Sequence, residues 1–288
     1  MSGRIGLIGG EVGHSASPAM HRAALAELGL DWEYEARALP SEELPGFVHE
    51  LRRGNWAGVN VTLPHKRQIV PLLDRLEREA EQIGAVNTVS VQGDKLIGYN
   101  TDAPGLRRDL ERKGPALGGR PLLVLGAGGA ARAAAWGLRR QCGTIHVIAR
   151  TPSRARAWTL ALEERHDAPV LVRPWEVESF RAVDPEVLIV QATPVGMWPH
   201  ADRSPWPEDV PLPEKGVVYD LVYRPQRTRL VEQARRAGLA AWTGLGMLVE
   251  QGALALELWS QQQAPRTLMR AAAERALEVD LDRVPDGR

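Results

Sequence analysis

The segment Gly126-Ala127-Gly128-Gly129-Ala130-Ala131 is a G-x-G-x-x-A turn of the kind that can cradle a pyrophosphate. Leu122-Leu123-Val124-Leu125 precedes it, an apolar run without alternation that reads as a strand buried on both faces. An Ala- and Leu-rich helix follows through Arg140, and then a second β-rich run, Thr144–Ile148. Gly126 permits the tight bend, Gly128 lets a phosphate approach the backbone, and Ala131 lets the helix pack close to the strand. The first N–H groups of the helix and the positive end of its dipole then face the phosphates. Glycine-rich turns also arise for packing alone, but the order strand, turn, helix, strand favours a dinucleotide.

The end of the second run narrows the ligand. An acid commonly stands there, accepting a hydrogen bond from the ribose 2′-OH of NAD. This chain has Ala149-Arg150-Thr151-Pro152-Ser153-Arg154 instead, with two arginines, two hydroxyls and no acid. Guanidinium groups suit a 2′-phosphate, so the expected cofactor is NADP. The alternative is a solvated arginine pair opening a helix at Ser153.

A second polar group lies upstream, where strands and helices alternate. Arg4–Ile8, Glu33–Ala38 and Ala57–Leu63 read as strands. Helices are expected from Pro18 to about Leu28 with Ser17 as cap, over Glu42–Arg53, and over Arg67–Gln82 after a polar loop, Pro64-His65-Lys66. Val86–Val91 and Leu96–Tyr99 read as paired strands around a Gly93-Asp94 turn. Such alternation predicts an α/β fold with a mainly parallel sheet, and ligands of such sheets sit beyond the carboxyl ends of the strands. Ser15, Ser17, Asn60, Thr62, Lys66, Asn87 and Asn100-Thr101-Asp102 all fall at those ends. Hydroxyls, amides and one ammonium there would suit a small, oxygenated anion. Taken singly, each has a structural explanation: Ser17 as a helix cap, Asn100 as a turn residue, Asp102 as the N-cap of a helix over Pro104–Arg112. His65 is expected to be an exposed loop histidine.

Composition excludes several classes. With 288 residues the chain can form two domains, and its formal net charge of zero argues against a nucleic-acid or polybasic membrane surface. Only Lys66, Lys95, Lys113 and Lys215 are lysines among 36 basic residues, which singles out Lys66 at its strand end. Cys142 is the sole cysteine, so an intrachain disulfide is excluded and a reducing, cytoplasmic location is expected. The start MSGRIGLIGG lacks a signal-peptide pattern, no stretch has membrane-spanning length, and the seven histidines show no metal-ligand spacing. The expected partner is a small molecule, with no nucleic acid, membrane or metal; a homodimer stays open.

The motifs His14-Ser15-Ala16-Ser17-Pro18, Asn60-Val61-Thr62-Leu63-Pro64-His65-Lys66, Gly84-Ala85-Val86-Asn87-Thr88 and Asn100-Thr101-Asp102 occur in an order that resembles the shikimate dehydrogenase family. The likeness runs nearly end to end, through the glycine turn, Ala192-Thr193-Pro194-Val195-Gly196-Met197, Asp220-Leu221-Val222-Tyr223-Arg224-Pro225 and Gly244-Leu245-Gly246-Met247-Leu248. It implies NADP-dependent, reversible reduction of 3-dehydroshikimate to shikimate, a step toward chorismate and the aromatic amino acids. Lys66 and Asp102 would be the catalytic pair, and Ser15, Ser17, Asn60, Thr62, Asn87, Tyr223 and Gln251 would bind substrate with them. Gly126, Ala127, Gly128, Gly129 and Ala130 would hold the pyrophosphate; Arg150, Thr151 and Arg154 the 2′-phosphate. Thr193, Leu221, Gly244 and Met247 would complete the cofactor site. Glu11, Ala103, Ala149 and Gln191 depart from the residues usual at their positions, which for Ala149 and Gln191 is asparagine.

The expected organisation is a substrate domain over 1–101, a Rossmann-type NADP domain over 102–242, and C-terminal helices over 243–288 that return to the first domain. Gly114–Arg120 reads as a hinge, Val187–Gln191, Val217–Val222 and Leu239–Trp242 as strands, and Thr228–Ala237, Met247–Trp259 and Pro265–Glu278 as helices. Trp198–Pro213 reads as a surface connection, and Gln251, judged without the resemblance, as an ordinary exposed helix position. Three other functions fit less well. A quinate/shikimate dehydrogenase using NAD would not need Arg150 and Arg154; a folate-linked dehydrogenase would not need the paired serines; a non-catalytic NADP-binding regulatory module would not need Lys66 and Asp102.

Overall fold

β1 (Gly3–Gly9), α1 (Ser17–Glu27), β2 (Trp32–Ala38), α2 (Leu44–Arg53) and β3 (Trp56–Val61) open the chain in strict alternation. β1 pairs in parallel with both β2 and β3, as helical crossovers require. The computed structural model describes residues 3–281. It divides into two units, one formed by the residues up to Gly105 and from Leu248 onward, the other by Leu106–Met247. Residues 282–288, the end of the expected C-terminal segment, lie outside the described residues.

The expected helix over Arg67–Gln82 is broken into pieces. α3 (His65–Gln68) begins inside the expected polar loop, a 3-10 turn holds Val70–Leu72, β4 (Arg75–Leu76) is extended, and α4 (Arg78–Ile83) starts afresh. Pro71 lacks the N–H a continuing helix needs. The Glu77 side chain caps α4 at Glu79 N, and Gly84, at φ 65°, ends it in the left-handed region. β5 (Thr88–Gln92) and β6 (Lys95–Tyr99) form the expected hairpin, with Gly93 at φ 63° in the two-residue turn. The sheet order is β2-β1-β3-β5-β6-β4, antiparallel only where β5 meets β3 and β6. Ile8, Phe47, Trp56, Val59 and Leu96 lie in its core, where Phe47 meets Trp56 edge-on at 5.7 Å.

α5 (Asp102–Lys113) leads into the second unit: β7 (Leu122–Leu125), α6 (Gly129–Leu138), β8 (Ile145–Ala149), α7 (Pro152–Glu163), β9 (Val170–Pro174), α8 (Val177–Arg181), β10 (Leu188–Gln191), β11 (Val217–Asp220), α9 (Arg229–Arg236) and β12 (Ala240–Thr243). All pairings are parallel and the order is β12-β11-β10-β7-β8-β9. Read from β9, this is the doubly wound dinucleotide order, with its switch point between β7 and β10. The α/β fold expected from the sequence is the one found. β9 and α8 are additions, and the segment expected as a surface connection sends Trp206 and Val210 into the core beside Phe180, Ile189 and Val218. Cys142 is buried, and desolvation pushes its thiol up to about 12, so it is chemically quiet.

α10 (Leu245–Ser260) and α11 (Arg266–Leu281) complete the chain. α11 packs on α1, and Trp259 of α10 donates its indole N–H to Val89 O at 3.0 Å, which ties these helices to the first sheet. Arg266 clamps the pair together by reaching Glu257 at 2.6 and 3.1 Å and buried Glu250 at 3.1 Å. Among the described residues no helix is long and apolar enough to cross a membrane.

Candidate active site

Lys66 lies in the middle of α3, and its backbone carbonyl accepts from Val86 N at 2.7 Å. Its Nζ is 2.6 Å from Asp102 Oδ2; the two side chains are 14% and 5% exposed. Asp102 is the first residue of α5 and is not spent as its cap. Asn100 makes the local bond instead, its Oδ1 accepting from Ala103 N at 3.2 Å while its Nδ2 donates to Ala85 O at 2.9 Å. The Asp102 carboxylate is thereby left for Lys66.

Asn87 organises the ground behind this pair. Its Nδ2 lies 3.0 Å from Asp102 Oδ1, 2.9 Å from Thr101 Oγ1 and 3.1 Å from Gln251 Oε1, while its Oδ1 accepts from Thr101 N at 2.7 Å. Gln251 is buried on α10, contrary to the exposed position expected from its helix alone, and its Nε2 donates to Leu248 O at 2.9 Å. Asn60 donates to Thr88 Oγ1 at 3.1 Å and to Asn87 O at 3.4 Å, which leaves its buried Oδ1 without a partner. An unpaired acceptor in a buried polar cluster is costly unless a ligand hydroxyl completes it.

Ser15 and Ser17 follow β1. Ser17 is not the N-cap expected: α1 begins at Ser17 itself, Ala16 stands at the cap position, and Ser17 N donates to Ser15 Oγ at 3.2 Å. Thr62 sits directly after β3, its N–H bonded to Ile8 O at 2.8 Å and its methyl pressed against Gly9, so the ends of β1 and β3 are fixed side by side. His65 overturns its expectation more completely. It is wholly buried, with Nε2 at 2.7 Å from Leu39 O and Nδ1 at 2.8 Å from Gln68 Oε1, and it anchors the turn that carries Lys66. Nothing in the sequence near His65 marks that burial, because Leu39 is distant in the chain.

In the second unit, Gly126 takes φ 118°, where a side chain is strained, and a Cβ there would meet Ala192 O and the Thr193 methyl at 3.1 Å. Around Gly128, by contrast, the space a Cβ would take is open, and α6 starts behind it with no side-chain cap on its N–H groups. Arg150 and Thr151, directly after β8, and Arg154, in the first turn of α7, are exposed, and neither arginine pairs with a carboxylate among the described residues. An uncapped helix start, room for a phosphate and free guanidinium groups together fit NADP. Gly244 must be glycine, since a Cβ would lie 2.2 Å from Leu221 O. Met247 N donates to Tyr219 Oη at 3.2 Å, and Tyr219 donates to buried Asp109 at 2.7 Å, a capping arrangement for α10 that sequence reasoning missed. Tyr223 lies in the loop after β11, half-buried. The described residues contain no His, Cys, Asp and Glu group that could hold a metal.

Comparison with known proteins agrees with this chemistry. The shikimate dehydrogenase substrate binding domain matches residues 7–89, and the shikimate 5'-dehydrogenase C-terminal domain matches residues 244–274. Over 281 residues the chain is 44% identical to the shikimate dehydrogenase (NADP(+)) of Symbiobacterium thermophilum, covering 96% of this chain and 95% of that one. The chain belongs to the shikimate dehydrogenase family. A Thermus thermophilus member is 46% identical over 276 residues, 96% of this chain and 99% of its own. The crystal structure of Thermus thermophilus shikimate 5-dehydrogenase in complex with NADP(H) and shikimate superposes with a TM-score of 0.84 at 44% identity, covering 96% of this chain and all of that one.

Proposed function

We infer that the protein catalyses the reversible, NADP-dependent reduction of 3-dehydroshikimate to shikimate. The observation that carries this reading is the Lys66–Asp102 ion pair, largely shielded from solvent and held from behind by Asn87 where β5 begins. Membership of the family and the relatives' common NADP(+) designation support it.

NADPH, when bound, supplies the hydride that goes to the substrate's carbonyl carbon. Lys66 Nζ gives a proton to the carbonyl oxygen as negative charge develops there, and in the reverse direction it takes the hydroxyl proton back. Asp102 Oδ2 fixes the ammonium and balances its charge, and Asn87 keeps that carboxylate from turning. Asn60 Oδ1, already desolvated, accepts from a ring hydroxyl, and Thr62, Asn87, Gln251 and Tyr223 hold the remaining oxygens. The hydroxyls of Ser15 and Ser17 bind the carboxylate. Gly126, Ala127, Gly128, Gly129 and Ala130 receive the pyrophosphate on backbone N–H groups, Arg150, Thr151 and Arg154 the 2′-phosphate, and Thr193, Leu221, Gly244 and Met247 line the rest of the cofactor site. Work in the cytoplasm is supported by the single, buried thiol.

The test follows reduced-nicotinamide absorbance after pure protein is mixed with shikimate and NADP⁺, with quinate and NAD⁺ exchanged in turn. Turnover with shikimate and NADP⁺ well above every other pair is expected. Equal turnover with quinate or NAD⁺ would replace the reading by a broader dehydrogenase, and none at all from folded protein would remove it.

A further inference from the structure

Gln191 ends β10 with its side chain fully buried, yet every polar contact it makes is to the loop that follows it. Its Nε2 lies 3.1 Å from Thr193 O, 2.9 Å from Thr193 Oγ1 and 3.0 Å from Val195 O. Its Oε1 lies 3.0 Å from both Thr193 N and Thr193 Oγ1. Val195 N adds a bond to Thr193 Oγ1 at 3.2 Å. One carboxamide thus folds residues 193–195 back over the strand end. The Thr193 hydroxyl is engaged whichever way that amide is turned, since both its ends are within reach.

The Thr193 methyl lies beside Gly126, the glycine of the phosphate turn held at φ 118°: a Cβ added there would come within 3.1 Å of it. β7 and β10, whose ends carry these two residues, are neighbours at the sheet's switch point. An asparagine at 191 is shorter by one carbon–carbon bond, about 1.5 Å. It could not span from the strand end to both Thr193 and Val195 O.

We propose that Gln191 is a positioning residue for the dinucleotide: it clamps the 193–195 loop against the phosphate turn, so that Thr193 serves the site by its methyl beside Gly126 and not as a hydroxyl ligand of the cofactor. This rests on the NADP reading above. Preorganisation of this kind strengthens binding by removing the loop's ordering cost from the binding step.

Calorimetric titration of NADP⁺, and separately of shikimate, into the substrate-free enzyme tests it with Gln191→Leu, Gln191→Asn, Thr193→Val and the Gln191→Leu/Thr193→Val double variant. Gln191→Leu is expected to raise the NADP⁺ Kd about tenfold, the effect of one lost net interaction. The shikimate Kd should stay within twofold, and Gln191→Asn should fall between wild type and Gln191→Leu. The double variant should bind NADP⁺ no more weakly than Gln191→Leu, because the two side chains act as one unit. Strictly additive losses, or an NADP⁺ Kd within twofold of wild type in Gln191→Leu, would overturn the proposal. So would a parallel rise in both Kd values, the mark of general unfolding. If Gln191→Leu fails to fold, the Gln191→Asn pair of Kd values decides by the same twofold criterion. Wild-type protein that does not bind NADP⁺ would instead remove the cofactor reading itself.

Discussion

Lys66 Nζ and Asp102 Oδ2 are 2.6 Å apart, and the other oxygen of the same carboxylate receives Asn87 Nδ2 at 3.0 Å. The two oxygens therefore have separate duties, one toward the proposed proton donor and one toward the scaffold. Asp102→Asn keeps the shape but loses the charge and turns one oxygen into a donor facing Lys66 or Asn87. Its kcat should fall about 10²-fold or more, the scale at which acid–base groups contribute, with NADP⁺ affinity retained. Steady-state kinetics with a parallel NADP⁺ titration would show this, and an unchanged kcat would deny Asp102 its role.

Arg150, just after β8, and Arg154, in the first turn of α7, both stand exposed. Arg150→Ala should weaken NADP⁺ by about 1.5–3 kcal/mol, the value of a charge-assisted hydrogen bond, while NAD⁺ binding barely changes. Equal losses for the two dinucleotides, measured side by side at one ionic strength, would contradict a 2′-phosphate contact.

The hairpin, the glycine turn and five strands of the second sheet were legible because each rests on local rules: apolar runs of strand length, a Gly-Asp turn, glycine where the backbone must bend. Their place at strand ends brought Lys66, Asn87 and Asp102 forward, and the family resemblance, not their spacing, paired Lys66 with Asp102. His65 and Gln251 were not legible, since their burial depends on Leu39 and on Asn87, partners far away in the chain. The helix over 67–82 failed on one residue, Pro71, whose missing donor outweighed an otherwise helical pattern. β9 escaped notice because it is an edge strand with Leu171 exposed, so its apolar alternation is incomplete.

His65 links the turn bearing Lys66 to the end of β2. His65→Ala should strand Leu39 O in a dry site and cost about 1–3 kcal/mol of stability. Urea unfolding of the two proteins would reveal it. Identical midpoints would mean that water or rearrangement satisfies the carbonyl.

Two buried groups give stability opposite pH dependences. Burial lowers His21 to about 4, against its bonds to the Ser17 and Gly252 backbone. Below pH about 6.5 the unfolded chain takes up a proton that the folded one refuses, so this contribution is lost as pH falls toward 4. Asp220 is pushed up to about 7 by burial, although Thr228 and Val222 donate to it. The folded chain then holds a proton that the unfolded chain releases above about 3.8, so stability from Asp220 is full below that pH and is lost as pH rises toward 7. Denaturation midpoints from pH 4.5 to 7.5 should fall less steeply toward acid in His21→Phe than in wild type, and less steeply toward pH 7 in Asp220→Asn. Slopes matching wild type in either variant would refute the corresponding assignment.

The most direct test of the Lys66–Asp102 account compares wild type with Lys66→Ala in shikimate oxidation by NADP⁺, reading kcat together with the NADP⁺ Kd. A kcat lower by about 10²–10⁴-fold with the Kd within twofold is the expected result. A folded Lys66→Ala protein turning over at near the wild-type rate would show that the proton comes from elsewhere.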